Sequence, residues 1–161
     1  MSYRRFGAMI AVSTIVMFGL MYLNTYQLDH ALFSQTRAWM ALLMGATMAI
    51  IMLLFMLGMY KDKRLNTAII IAGLVVFSGS LWLVRSQATV GDVAYMKAMI
   101  PHHSIAIMTS RRADIKDPRV RKLADGIIEA QVREIAEMKS LIADIEEGRA
   151  ASSGREPTPP L

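Results

Sequence analysis

Three apolar runs fill most of the first half of the chain, and they restrict its fold more than any other feature. They extend from about Phe6 to Leu23, Ala38 to Tyr60 and Leu65 to Val84, and none contains a charged residue. Each approaches the roughly 20 residues needed to cross about 30 Å of hydrocarbon. Backbone groups in lipid need partners within their own segment, so each run is expected to be a transmembrane helix and not a strand. A cleaved signal peptide is the competing reading of the first run. That run is long for one, and Met21–Tyr26 offers no small-x-small cleavage site, so an uncleaved anchor is expected.

Lys and Arg collect on the cytoplasmic side of a membrane. Arg4 and Arg5 precede the first run, and Lys61, Lys63 and Arg64 lie between the second and third. The connection from Asn24 to Arg37 holds a single Lys/Arg residue, Arg37, and one acidic residue, Asp29. The N-terminus and the Lys61 turn are therefore expected inside, and everything after the third crossing outside. A bacterial inner membrane with the C-terminal part in the periplasm, or outside the cell, is the expected location. The same residues account for the net charge of +5, because residues 85–161 contain 12 Lys/Arg against 11 Asp/Glu. A nucleic-acid partner is not expected; the bilayer is.

The polar part divides into elements by its caps and periodicity. A helix is expected from about Asp92 to Arg112, then a turn at Ala113–Asp117. Asp117 suits an N-cap and Pro118 the first helical position, where a missing N–H costs nothing. The second helix should reach about Glu147, and the Gly-, Ser- and Pro-rich remainder reads as a disordered tail. The expected domains are a three-span anchor (1–85), a two-helix domain (86–147) and the tail (148–161). Two helices bury little alone. An all-α fold is expected, in which hairpins from two chains complete a four-helix bundle, so a homo-oligomer, a dimer first, is the expected state.

In the second helix Val120, Ala124, Ile127, Gln131, Glu134, Met138, Leu141 and Ile145 recur at steps of three and four, a seam spacing. Leu123, Ile128, Ile135 and Ile142 widen it. Gln131 and Glu134 interrupt this stripe, and polar groups in an apolar seam need a partner, such as a metal or a group on a facing helix. Exposure at the stripe's edge is the alternative for Glu134.

The first helix carries Met99-Ile-Pro-His-His103. On a wheel of about 100° per residue, Asp92, Tyr95, Met96, His102, His103, Ala106 and Ser110 fall near Met99. Met108 lies opposite and reads as packing. Pro101 is also placed on the far, convex side of a kink that bends the Met/His face inward. Imidazole with thioether suits copper, whereas imidazole with carboxylate suits zinc or iron equally well. The chain has no cysteine, so any metal must be held by other donors. The alternative is two satisfied histidines, one facing Gln131 or Glu134 and one facing water. Met40, Met44, Met48, Met52 and Met56, followed by Met59, recur in the second apolar run. They read as a packing seam, or less simply as a path for a soft cation.

An enzyme is not expected. No Glu-x-x-His pair or His-Glu-x-x-His run is present. Ser104 and Ser110 share a helix with the histidines but lack a strand–turn–helix nucleophile elbow.

The stretch from Tyr95 to Ala113, with Asp117 to Ile142, resembles the bacterial family known as domain of unknown function 305. The resemblance rests on Met99–His103, Ala130–Gln131, Glu134–Ile135 and Met138, and covers roughly residues 91–145. It implies a ferritin-like helical fold and a periplasmic role in binding copper or resisting its toxicity. Carried over by position, it implies His102, His103, Met99 and Met96 as ligands, with Met138 supporting from the second helix. Gln131 or Glu134 would orient an imidazole through its second nitrogen. The sequence departs from many members in lacking a Met/His-rich tail and in placing three apolar runs ahead of a single two-helix unit. A membrane-tethered single copper site fits this better than a high-capacity store. The reading from another class is a structural module that assembles membrane proteins through its bundle, without metal.

Overall fold

The computed structural model describes residues 2–153. Every regular element among them is helical: α1 (Tyr3–Leu20), α2 (Gln35–Phe55), α3 (Lys63–Ser86), α4 (Asp92–Arg112) and α5 (Pro118–Ser153). A 3₁₀ turn, Leu28–His30, lies in the α1–α2 connection. The helices form two compact units. One holds α1, α2 and α3; the other holds α4, α5 and residues 24–33. Residues 24–33 lie within the 1–85 segment of the sequence yet pack with the hairpin.

In the first unit, α1, α2 and α3 are each long and apolar enough to cross a membrane. Their starts follow from local chemistry. Ser34 accepts the Arg37 N–H at the head of α2, and the Asp62 carboxylate accepts the N–H groups of Arg64 and Leu65 at the head of α3. α2 packs against both α1 and α3. Small residues permit the close approach: a Cβ on Gly45 would collide with the Thr14 side chain, and one on Gly73 would lie 2.8 Å from Ile50 Cγ1. The Tyr3 hydroxyl donates to Asn66 Oδ1 at 2.8 Å, and the Asn66 amide donates to the Tyr60 carbonyl at 2.8 Å. The start of α1 and the α2–α3 turn, both basic, therefore share one end of this unit.

Two boundaries differ from the sequence reading. α1 stops at Leu20 and α2 at Phe55, three and five residues before the apolar runs end. Met59 consequently lies beyond the helix. The methionine row is not a continuous lining: Met52 and Met56 pack on Phe6, Leu53 and Tyr60, while Met40 is exposed.

In the second unit α4 and α5 form the hairpin, and α5 begins as expected, with the Asp117 carboxylate accepting the Arg119 N–H at 2.8 Å. Its core is Met96, Ile100, Ile107, Ile135 and Ile142. Tyr26, Leu32, Ile128, Met138 and Ile145 pack on it. The seam of α5 thus follows Ala124, Ile128, Gln131, Ile135, Met138, Ile142 and Ile145, again at steps of four and three. Ala124, Gln131, Met138 and Ile145 of the expected stripe keep their place, Ile128, Ile135 and Ile142 join them from its widened side, and Val120, Ile127 and Leu141 are instead exposed together with Leu123. The helix also continues through Ser153, beyond the expected end at Glu147. Residues 154–161, the rest of the expected tail, lie outside the described residues.

Candidate functional site

The Met-Ile-Pro-His-His run lies in the middle of α4. Helical periodicity separates its residues between two environments. Met96, Ile100 and Ile107 face the core, and His103 falls at the same seam spacing, between Ile100 and Ile107. The side chain of His103 is only 13 % exposed and its Nδ1 lies 3.3 Å from Glu134 Oε2. The angles there do not make a hydrogen bond, so Nδ1 is a buried polar atom without one. Gln131 donates its amide to the same Glu134 oxygen at 3.4 Å. Burial, the larger effect, holds the His103 imidazole below its ordinary pKa; the Glu134 carboxylate opposes that and His102 adds to it.

His102, one residue earlier, is exposed; its ring centroid lies 6.1 Å from that of His103, at an interplanar angle of 58°. Met99 is half-buried. Met96 is buried in the isoleucine core and Met138 packs against that core from α5. The structure therefore brings together His103, Glu134 and Gln131. Of the other expected ligands, His102 is exposed, while Met96 and Met138 lie in or against the isoleucine core. Among the described residues, no group of three or more His, Asp or Glu side chains could hold a metal ion. A thioether at position 96 serves as an apolar filler between isoleucines.

Pro101, expected on the side of α4 away from Met99, is fully buried. Pro101 and Ser104 are both buried, so α4 hides more of its surface than one partner helix requires. For Ser104 the covering segment is the 24–33 loop. Ser104, 0 % exposed, accepts the Tyr26 N–H at 2.7 Å, and its Oγ lies 3.0 Å from His30 Nδ1. Ser104 donates to no other group among the described residues. Satisfying every polar atom therefore puts the serine hydrogen on Nδ1 and the imidazole proton on Nε2.

His30 escaped the sequence reading because it precedes Ser104 by 74 residues, and no local period joins them. Its environment is polar on one side: Nε2 is 3.9 Å from Asp29, which in turn takes the Lys139 ammonium at 2.6 Å. Burial lowers the His30 pKa, with Asp29 opposing and Lys139 reinforcing the shift. Arg111 crosses the same loop, donating to the Tyr26 hydroxyl at 2.9 Å.

Comparison with known proteins adds a family. Residues 83–158 match the model described as Domain of unknown function (DUF305). The chain is also 34 % identical over 146 residues to "Uncharacterized protein L153" of Acanthamoeba polyphaga mimivirus, covering 84 % of this chain and 92 % of that protein. No solved structure matches the chain. The paired histidines and the seam of α5 lie inside the matched segment, and the chain belongs to the DUF305 family.

Proposed function

We propose that this is a membrane-anchored, externally facing metal-binding protein, with copper the best-matched ion. The observation that carries the reading is the buried, unbonded Nδ1 of His103, set 3.3 Å from the Glu134 carboxylate. A nitrogen and an oxygen donor in that arrangement can share one cation. Exposed His102 adds a second imidazole, and half-buried Met99 a thioether. Met96 and Met138 would join only if the isoleucine core opened. This donor set is harder than the sequence suggested, so Cu(II) is favoured over Cu(I), ahead of zinc in the usual order of divalent affinities. Gln131 would hold Glu134 in place.

One chain supplies few donors, and the exposed stripe of Val120, Leu123, Ile127 and Leu141 supports a second copy pairing through α5 into a four-helix, ferritin-like bundle. Three apolar helices support the bilayer anchor. The basic turns at one end of their unit support an inside N-terminus, in a bacterial inner membrane or its counterpart elsewhere. Because the chain lacks cysteine, Lys63→Cys and Lys116→Cys variants labelled in intact cells should react from opposite sides.

The test of the metal is elemental analysis of the full-length protein purified without chelator, followed by calorimetry with Cu(II), Cu(I) and Zn(II). Stoichiometric copper, lost in the His102→Ala/His103→Ala double variant, is the expected result; equal affinity in that variant overturns the assignment. A second reading, an interaction module without metal, is favoured by the same exposed stripe. There His103, Gln131 and Glu134 would be a polar layer that fixes pairing. Protein that stays metal-free but dimeric would decide for it.

A further inference from the structure

We propose that the cavity beside His30 is a binding pocket for a small organic carboxylate. The cavity, of about 260 Å³, lies between the 24–33 loop and the α4–α5 hairpin, walled by Tyr26, His30, Arg111, Ile107, Val132 and Ile135. A dry cavity of about 150 Å³ accepts benzene, so this one has room for roughly ten non-hydrogen atoms. Its chemistry is divided. Its lining combines three aliphatic residues, Ile107, Val132 and Ile135, with Arg111, His30, Tyr26 and Gln27, and no carboxylate residue lines it.

Arg111 is the group that selects charge. Its Nη1 donates to the Tyr26 hydroxyl at 2.9 Å, and the guanidinium stands 5.3 Å from that ring's centroid, which fixes the plane. It forms no ion pair among the described residues. Asp125 and Glu129 border the adjoining cavity that Arg111 shares, but Asp125 already holds Arg121 at 2.8 Å. Remaining N–H donors of an oriented guanidinium match the two oxygens of a carboxylate. His30 adds a second donor. With Nδ1 engaged by Ser104, its Nε2–H has only Asp29 nearby, at 3.9 Å, beyond hydrogen-bond reach. An oxyanion with a compact apolar body suits both kinds of lining residue; a bare inorganic ion leaves the aliphatic ones without a partner. This pocket does not depend on the metal reading.

The test uses the full-length chain in phosphatidylcholine nanodiscs with ¹³C-methyl isoleucine and valine. Benzoate should shift the methyl signals of Ile107, Val132 and Ile135 saturably, while benzamide, its neutral isostere, should not. Arg111→Gln should weaken benzoate roughly tenfold or more, the loss of one charge-assisted contact. Because that variant also loosens Tyr26, Val132→Phe provides a second test: it fills the cavity from its rim, keeps Arg111, and should abolish the shifts. Benzamide binding as well as benzoate, or benzoate unaffected by both substitutions, overturns the proposal. So does inorganic phosphate shifting the same methyls as strongly. Nanodiscs containing phosphatidylglycerol that shift these signals and exclude benzoate would reassign the pocket to a lipid headgroup and overturn it as a site for a soluble acid.

Discussion

Ser104 holds His30 at 3.0 Å while accepting the Tyr26 N–H, so one buried hydroxyl ties a distant loop to the helix of the paired histidines. The residue directly after the histidine pair thus has a structural partner.

Replacing Ser104 by Ala should leave the Tyr26 N–H and His30 Nδ1 without partners in a buried place. An unsatisfied buried group costs about 1–3 kcal/mol. The expected outcome is a loss of that order in unfolding free energy, with faster hydrogen exchange across residues 26–32. Unchanged exchange there would show that the loop is held by other contacts.

Acid should loosen the second unit. Burial keeps His30 and His103 below the ordinary imidazole value of 6.5. Above that value both states are neutral and these groups contribute no pH dependence. Below it the unfolded chain binds protons that the folded chain refuses, so stability falls as pH drops. Thermal unfolding between pH 7 and pH 5 should show a declining midpoint, and His30→Gln should flatten part of the slope.

Gly45→Ala should weaken the packing of α1 on α2, because the added methyl meets Thr14 from the opposing helix. Overpacking of this kind costs about 1–3 kcal/mol. Adding Thr14→Ala should recover most of the loss, since it removes the Oγ1 and Cγ2 atoms nearest the new methyl. A double-mutant cycle on detergent-solubilised protein reads the coupling.

Leu123→Glu tests the open stripe. Leu123 is 65 % exposed and takes no part in the hairpin core, so the substitution should leave the helical signal unchanged. It should shift the mass measured by light scattering from that of a dimer to that of a monomer. A dimer that survives must use another face.

Local features were legible in the chain. The caps at Asp117–Pro118, the helix from Asp92 to Arg112 and the three apolar runs each depend on neighbours within a few residues. Capping and helical propensity act over that range. The α5 seam lies within the broad stripe legible in the sequence, but turned toward Ile128, Ile135 and Ile142 and away from Val120, Ile127 and Leu141, because both sets fit a helical spacing. Which of two apolar stripes faces α4 depends on the facing helix, and periodicity alone carries no information about it.

The candidate site divides the same way. The sequence offered one of the two histidines to Gln131 or Glu134 across a hairpin, and the structure sets His103 beside Glu134. What the sequence determined is the set of elements and their donor groups, since hydropathy, caps and spacing are properties of short segments. Only the tertiary structure decided that Met96 fills the core, that His103 keeps a buried nitrogen unbonded, and that His30 reaches Ser104. Those outcomes depend on which surfaces exclude water together, a choice made among segments far apart in the chain.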